Sequence, residues 1–281
     1  MQTHKNTILT IFLILILILS GFIYCTKKDM DESSGQRVVL LEKFTGTWCG
    51  WCPYGAEILE DILEKTGNVV VLAYHTKDSM TIEDTKVLQN AFDPRHPQAV
   101  IDRVQYPETE KMPISRGDWD RTVTYRLGAG VPLLISAEGA YDPGSRMVDL
   151  DIKFEPGKDF KEGTYKINVV ITEDGLKYTQ TIFRDPNRNE IPGYVHKHVV
   201  REMVTGPWGQ VLDKKQIRIE DEDVSVLKDK TISFKLDKKF IAENCHVVVF
   251  VHEDLGEGYG PVLQAAELNI KDMTGFIPDN R

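Results

Sequence analysis

Apolar and polar positions divide the chain into stretches of different period. Residues 8–19 are almost continuous Ile, Leu and Phe, and residues 26–36 (TKKDMDESSGQ) are polar. The first patterned segment is Val38–Phe44, a short apolar run with β-branched residues that reads as a buried strand. From Pro53, YGAEILEDILEKTG sets Ile58, Leu59, Ile62 and Leu63 on one helical face and Glu57, Glu60, Asp61 and Glu64 on the other. Pro53 near the start and Gly67 past the end are the punctuation such a helix needs. Residues 69–74 (VVVLAY) are too apolar for a wet face, as in a central parallel strand. Strand, helix and strand in this order predict a right-handed βαβ unit. A capping-box pattern at Thr81–Asp84 starts a helix reaching about Ala91. Trp119, Val123 and Leu127 mark another, ending at Gly128–Gly130.

The period changes after Val131. Alternating segments recur at 147–154, 164–172, 194–204, 231–236, 245–253 and 262–270, some separated by turn residues such as Asp142-Pro143-Gly144 and Asp174-Gly175. Short alternating strands at this spacing predict an antiparallel sandwich of the immunoglobulin-like kind. The expected organisation is therefore an α/β domain over 37–130 and an all-β sandwich over 131–272. An export segment (1–25) and a flexible tether (26–36) precede them, and a short tail (273–281) follows.

The α/β half carries the chemistry. In FTGTWCGWCP (44–53) a strand delivers Cys49 and Cys52, two residues apart, to the first turn of a helix, the sequence form of a thioredoxin-like redox site. Unpaired backbone N–H groups and the positive end of the helix dipole stabilise an anion there, and the thiolate is the species that attacks disulfides. Cys49 is then the expected exposed nucleophile and Cys52 the buried resolving thiol, with Trp48 as an apolar rim and Pro53 at the helix start. Trp51 supplies no cation between the cysteines, which predicts a reducing or intermediate potential, nearer about −270 than −120 mV. In thioredoxin-like proteins a proline, usually cis, opens the strand facing the redox pair. Pro97, before Ala99-Val100-Ile101, is the candidate, and Pro94 stands further from that strand. His75 and His96 could tune the Cys49 thiol, or be plain loop histidines. The position six residues before Cys49, where many thioredoxins have a buried carboxylate, is Lys43. A small register shift could bring Glu42 inward instead; otherwise Glu42 is a solvated strand-end residue.

Bland alternatives stand beside this. A static Cys49–Cys52 clip closes so short a loop that it constrains the unfolded chain by only about 2 kcal/mol. A zinc site needs two further ligands, and no second Cys-x-x-Cys is present. A retained fold without redox activity is the third. His196 and His198, two apart on an expected strand, fall on one face, better read as a half-exposed sheet than as a metal site. Cys245 opens an apolar strand as a small hydrophobe. Asp185–Asn189 begins like a calcium loop but has Glu190 where glycine is required. No metal and no cofactor beyond the Cys49–Cys52 disulfide is expected.

Composition narrows the partners. Of 281 residues, 34 are Lys or Arg and 43 Asp or Glu, a net charge of −9 that argues against nucleic acid. The apolar run at 8–19 is a signal-sequence core. It ends in one of three ways: a lipid on Cys25, conventional cleavage nearby, or an uncleaved anchor over Ile8–Tyr24. Tyr24 is larger than the residue usually found before a lipidated cysteine, but a cysteine followed by a polar tether favours the lipid. Export leaves protein thiols and disulfides of the cell envelope as the expected partners.

Taken together, FTGTWCGWCP (44–53), VVVLAYH (69–75), Val100-Ile101-Asp102-Arg103, HKHVVREMVTGPWG (196–209) and VVVFVHED…VLQAAELNI (247–270) resemble the family related to a 28-kDa outer-membrane lipoprotein. The resemblance implies an envelope location and a thioredoxin-like half followed by a β-sandwich, and brings no settled substrate. Two functions are therefore expected in competition. One is a thiol-disulfide oxidoreductase acting on protein disulfides. The other is a surface lipoprotein whose sandwich binds or scaffolds.

Overall fold

The computed structural model describes residues 35–275 apart from 108, 110, 220, 221 and 257. The signal segment, Cys25 and most of the tether lie outside the described residues, as do the last six positions of the tail. The described residues from Arg37 onward form one unit.

Strand β1 (Val39–Thr45) runs parallel to β2 (Val69–His75), and every residue of both is buried. They are joined by helix α1 (Cys52–Thr66), whose last turn closes on left-handed Gly67, with the Gly67 N–H donating to Leu63 O. Helix α2 (Glu83–Phe92) starts with no side-chain cap. The expected capping box does not form, because Thr81 instead exchanges hydrogen bonds with Asp78. β3 (Gln98–Ile101) is antiparallel to β1, and β4 (Ile114–Ser115) to β3, before helix α3 (Trp119–Leu127).

The second half adds β5 (Leu133–Asp142), β6 (Met147–Pro156), β7 (Tyr165–Glu173), β8 (Leu176–Thr181), β9 (Glu190–His196), β10 (Val199–Met203), β11 (Gln210–Val211), β12 (Lys214–Ile219), β13 (Glu222–Leu227), β14 (Lys230–Lys235), β15 (Cys245–Glu253) and β16 (Val262–Asn269). The sheet does not stop at the boundary expected near residue 130. It runs β16-β15-β7-β10-β2-β1-β3-β4 with β11 attached to β7, and β10 joins β2 in parallel. The far edge is tied back to the first half: Val262 N–H donates to Asp102 O (2.8 Å), and Val38 N–H to the Gln264 side chain (2.8 Å). The fold is mostly β, with a mixed sheet.

Three apolar clusters follow from this layout. One face of the long sheet is continuous, joining Leu40, Phe44, Leu72 and Leu88 of the first half to Val170, Val200, Val248 and Phe250 of the second. The opposite face is divided. Helices α1 and α3 cover its β1–β3 part through Leu59, Ile62, Trp119 and Val123. The small sheet β14-β6-β5 covers its β7–β15 part through Val148, Leu150 and Ile152. Where the two sheets face each other, the alternation of β6 and β14 is an alternation of buried or half-buried positions with exposed ones. The central strands β7 and β15 are buried on both faces along most of their length, so each has an unbroken apolar stretch, Val169–Ile171 in β7 and Val247–Val251 in β15. No helix among the described residues is long and apolar enough to cross a membrane.

Candidate functional site

β1 feeds the turn 46–51, where Cys49 N–H donates to Gly46 O (3.0 Å) and Cys52 N–H to Cys49 O (3.1 Å). Cys52 is the first residue of α1, and Cys49 sits in the turn ahead of it. The two sulfurs form a disulfide with an S–S length of 2.10 Å. Asp78 braces the turn from behind. Its carboxylate accepts the Thr47 N–H (2.9 Å), the Met80 N–H (3.0 Å) and a hydrogen bond from His75 Nδ1 (2.7 Å). Burial opposes ionisation of Asp78, yet His75 and these N–H groups hold its carboxyl below the usual range.

Pro97 immediately precedes β3. The His96–Pro97 bond is cis, and a Cβ on Gly55 of α1 would sit 3.3 Å from the Pro97 ring, which explains a glycine one turn past the cysteines. His96 packs on Trp48 (ring centroids 5.0 Å), its side-chain hydrogen bond is with Thr76 Oγ1 (3.2 Å), and its pKa falls to about 4 through burial and the charge of Lys77.

The expected exposure of Cys49 is overturned: Cys49 and Cys52 are each only 4 % exposed. The cover comes from the other half of the chain. Gln180 Nε2 donates to Cys49 O (2.9 Å), Thr181 N–H to Thr47 O (2.8 Å) and Phe183 N–H to Gly50 O (3.1 Å), so residues 180–183 lie along the turn like an added strand. A Cβ on Gly50 would run into the Phe183 ring. Around this covered disulfide the aromatics face outward. Trp51 is 36 % and Phe183 60 % exposed, and Trp51 is flanked by the guanidinium groups of Arg116 (5.4 Å) and Arg184 (5.2 Å). Trp51 offers no cation, but two arginines reach it from other segments.

Glu42 belongs elsewhere, neither solvated nor near the cysteines. It is fully buried on the opposite face of β1, accepting three hydrogen bonds from Arg103 and one from the Tyr74 hydroxyl (2.7 Å). Lys43 faces the cysteine helix instead. Burial lowers its pKa to about 8, only partly offset by Glu60. It lines a cavity of about 460 Å³ together with Cys52, His75, His196 and His198. The two histidines do not share a strand face as expected, because the chain turns between β9 and β10 with His198 at φ 57°. His196 packs its ring on His75 (5.1 Å), and burial first, then His75 and Lys43, lowers its pKa to about 4. No group of three or more His, Cys, Asp or Glu side chains suited to a metal occurs among the described residues. Cys245 is buried at the start of β15, where desolvation pushes its thiol pKa up. Gln180, Phe183, Arg184 and Arg116 escaped the sequence reading, since nothing local to them signals a contact with a turn about 70 to 130 residues away.

The profile of a family described as outer membrane protein Omp28 matches residues 87–272. No curated protein sequence matches the chain. Among solved structures, HBP35 of Porphyromonas gingivalis shares the fold with a TM-score of 0.68 at 17% identity, covering 89% of this chain and 80% of that one. A domain of the outer membrane lipoprotein Omp28 from Porphyromonas gingivalis aligns at a TM-score of 0.32 and 18% identity, over 51% of this chain and 89% of that one. The family match begins after the Cys49–Cys52 turn.

Proposed function

Because the chain belongs to the outer membrane protein Omp28 family, and is thus an exported, outer-membrane-associated protein of the cell envelope, we propose that it works as a binding protein through the face around Trp51. The observation that carries this is the contrast at the turn. Both sulfurs are 4 % exposed, whereas Trp51 and Phe183 stand open beside Arg116 and Arg184. Tryptophan and arginine are the side chains that dominate binding energy at protein interfaces, and the paired guanidinium groups suit a protein partner presenting acidic side chains beside apolar ones. A lipid on Cys25 would tether this face to the membrane.

A second reading, exchange with protein disulfides at Cys49, draws on the order β2-β1-β3-β4 with α1 and α3 on one face. That arrangement supports a thioredoxin-like unit within residues 37–130. Exchange there requires residues 180–183 to leave the turn. A pull-down from outer-membrane extracts separates the two. Retention that survives Cys49→Ala/Cys52→Ala and falls about thirtyfold, or ~2 kcal/mol, in Trp51→Ala/Arg184→Ala is expected for binding. Retention lost with the cysteines and released by reductant would establish exchange instead.

A further inference from the structure

We propose that the cavity behind the disulfide is a site for small anionic thiols, and that such a thiol opens the Cys49–Cys52 bond at Cys52. This goes beyond the binding role and uses none of the residues around Trp51. Cys52 lines the cavity and Cys49 does not. Two polar groups on the same wall lack partners. His196 is 5 % exposed, and its Nε2 has no hydrogen bond. Lys43 is 7 % exposed and makes no hydrogen bond or ion pair among the described residues; of the three acids that line the cavity with it, Glu57, Glu60 and Glu64, only Glu60 acts on it, and Glu60 is itself bonded to Lys197 at 3.0 Å. His75, in contrast, is already held by Asp78.

A buried imidazole nitrogen without a partner is costly unless something supplies an acceptor, and the Lys43 ammonium opens onto the cavity without a hydrogen bond. A carboxylate supplies acceptors to both. The remaining reactive feature of the wall is half of a disulfide, and the group that reacts with it reversibly is a thiol. At about 460 Å³ the cavity has the size of a small-molecule pocket and excludes a folded protein. A mercaptocarboxylate or an amino-acid thiol fits these demands.

The ligand thiolate attacks Sγ of Cys52. A new S–S bond forms there as the bond to Cys49 breaks, and the electron pair leaves on the Cys49 sulfur. A second molecule of the same thiol attacks its own kind's sulfur in the mixed disulfide, releasing Cys52 as thiolate. Two thiols become one disulfide, and the protein gains the two electrons and, on protonation, two protons. Lys43 and His196 act as positioning residues for the carboxylate.

The test uses the oxidised, full-length wild-type protein. It is exposed to 3-mercaptopropionate or to cysteamine at matched thiolate concentration, quenched with an alkylating agent and mapped by mass spectrometry. The expected adduct is on Cys52 with Cys49 alkylated, forming about tenfold faster with the anionic thiol. Lys43→Met should remove that preference. Adducts on Cys49, or equal rates with the two probes in the wild type, would overturn the proposal whatever the variant does.

Discussion

Glu42 and Lys43 are adjacent in β1 and point to opposite faces of the sheet, and each face treats its charge differently. Glu42 meets a full set of donors from Arg103 and Tyr74, whereas Lys43 is buried with no direct partner, so its folded pKa of about 8 lies below the ordinary 10.5. The folded state therefore holds fewer protons than the unfolded one between these two values, and stability rises with pH across that window. The gap corresponds to about 3 kcal/mol. Tyrosines with raised pKa values, such as Tyr74 and Tyr194, pull the other way at the alkaline end, so the difference between two proteins is the useful quantity. Urea unfolding of wild type and Lys43→Met at pH 7 and pH 10 should show the variant more stable at pH 7, and the advantage shrinking by pH 10. A constant difference would mean that Lys43 is not desolvated. The period-2 pattern of β1 made the opposition of these residues legible in the sequence. It could not say which face held the cysteine helix, nor that Arg103, about 60 positions away, would neutralise Glu42.

The segment 180–183 covers the turn that holds the disulfide, and it is an element no local pattern revealed. Gln180 also donates to Gly46 O (3.3 Å), so one amide bridges two carbonyls of the turn. Removing it along with the Phe183 ring takes away a net hydrogen bond, ~1.4 kcal/mol, together with apolar cover. Gln180→Ala/Phe183→Ala is therefore expected to speed reduction of Cys49–Cys52 by a protein dithiol at least about tenfold, read by alkylation of the freed thiols. An unchanged rate would show that the cover is not what limits access. The elements that were legible, such as α1 and β15, carry their signal within themselves, as amphipathic spacing or an apolar run. Those that were not depend on distant partners. The expected strand 194–204 breaks into β9 and β10 because His198 N–H bonds to Asp174 Oδ1 (2.6 Å) and the chain changes sheets there.

At the scale of the whole molecule, the change of hydrophobic period near residue 130 marks a change of architecture without interrupting the sheet. Alternation tells which positions are buried, but not which strand lies alongside, and the β10–β2 pairing joins residues more than 120 apart. The consequence is thermodynamic. The continuous apolar face draws on both halves, with Leu40, Phe44 and Leu72 against Val170, Val248 and Phe250. Separating the halves would expose that face and leave β2 as an unpaired edge. Residues 37–281 should therefore unfold in one cooperative step. The tryptophans allow a direct check, since Trp48, Trp51 and Trp119 report on the first half and Trp208 on the second. In urea, variants retaining only Trp119 or only Trp208 should give coincident fluorescence midpoints, and the fragment 37–130 alone should lack near-UV circular dichroism. Two separated midpoints, or a folded fragment, would mean that the first half, with its β2-β1-β3-β4 order, stands by itself and that the shared face contributes little to holding the halves together.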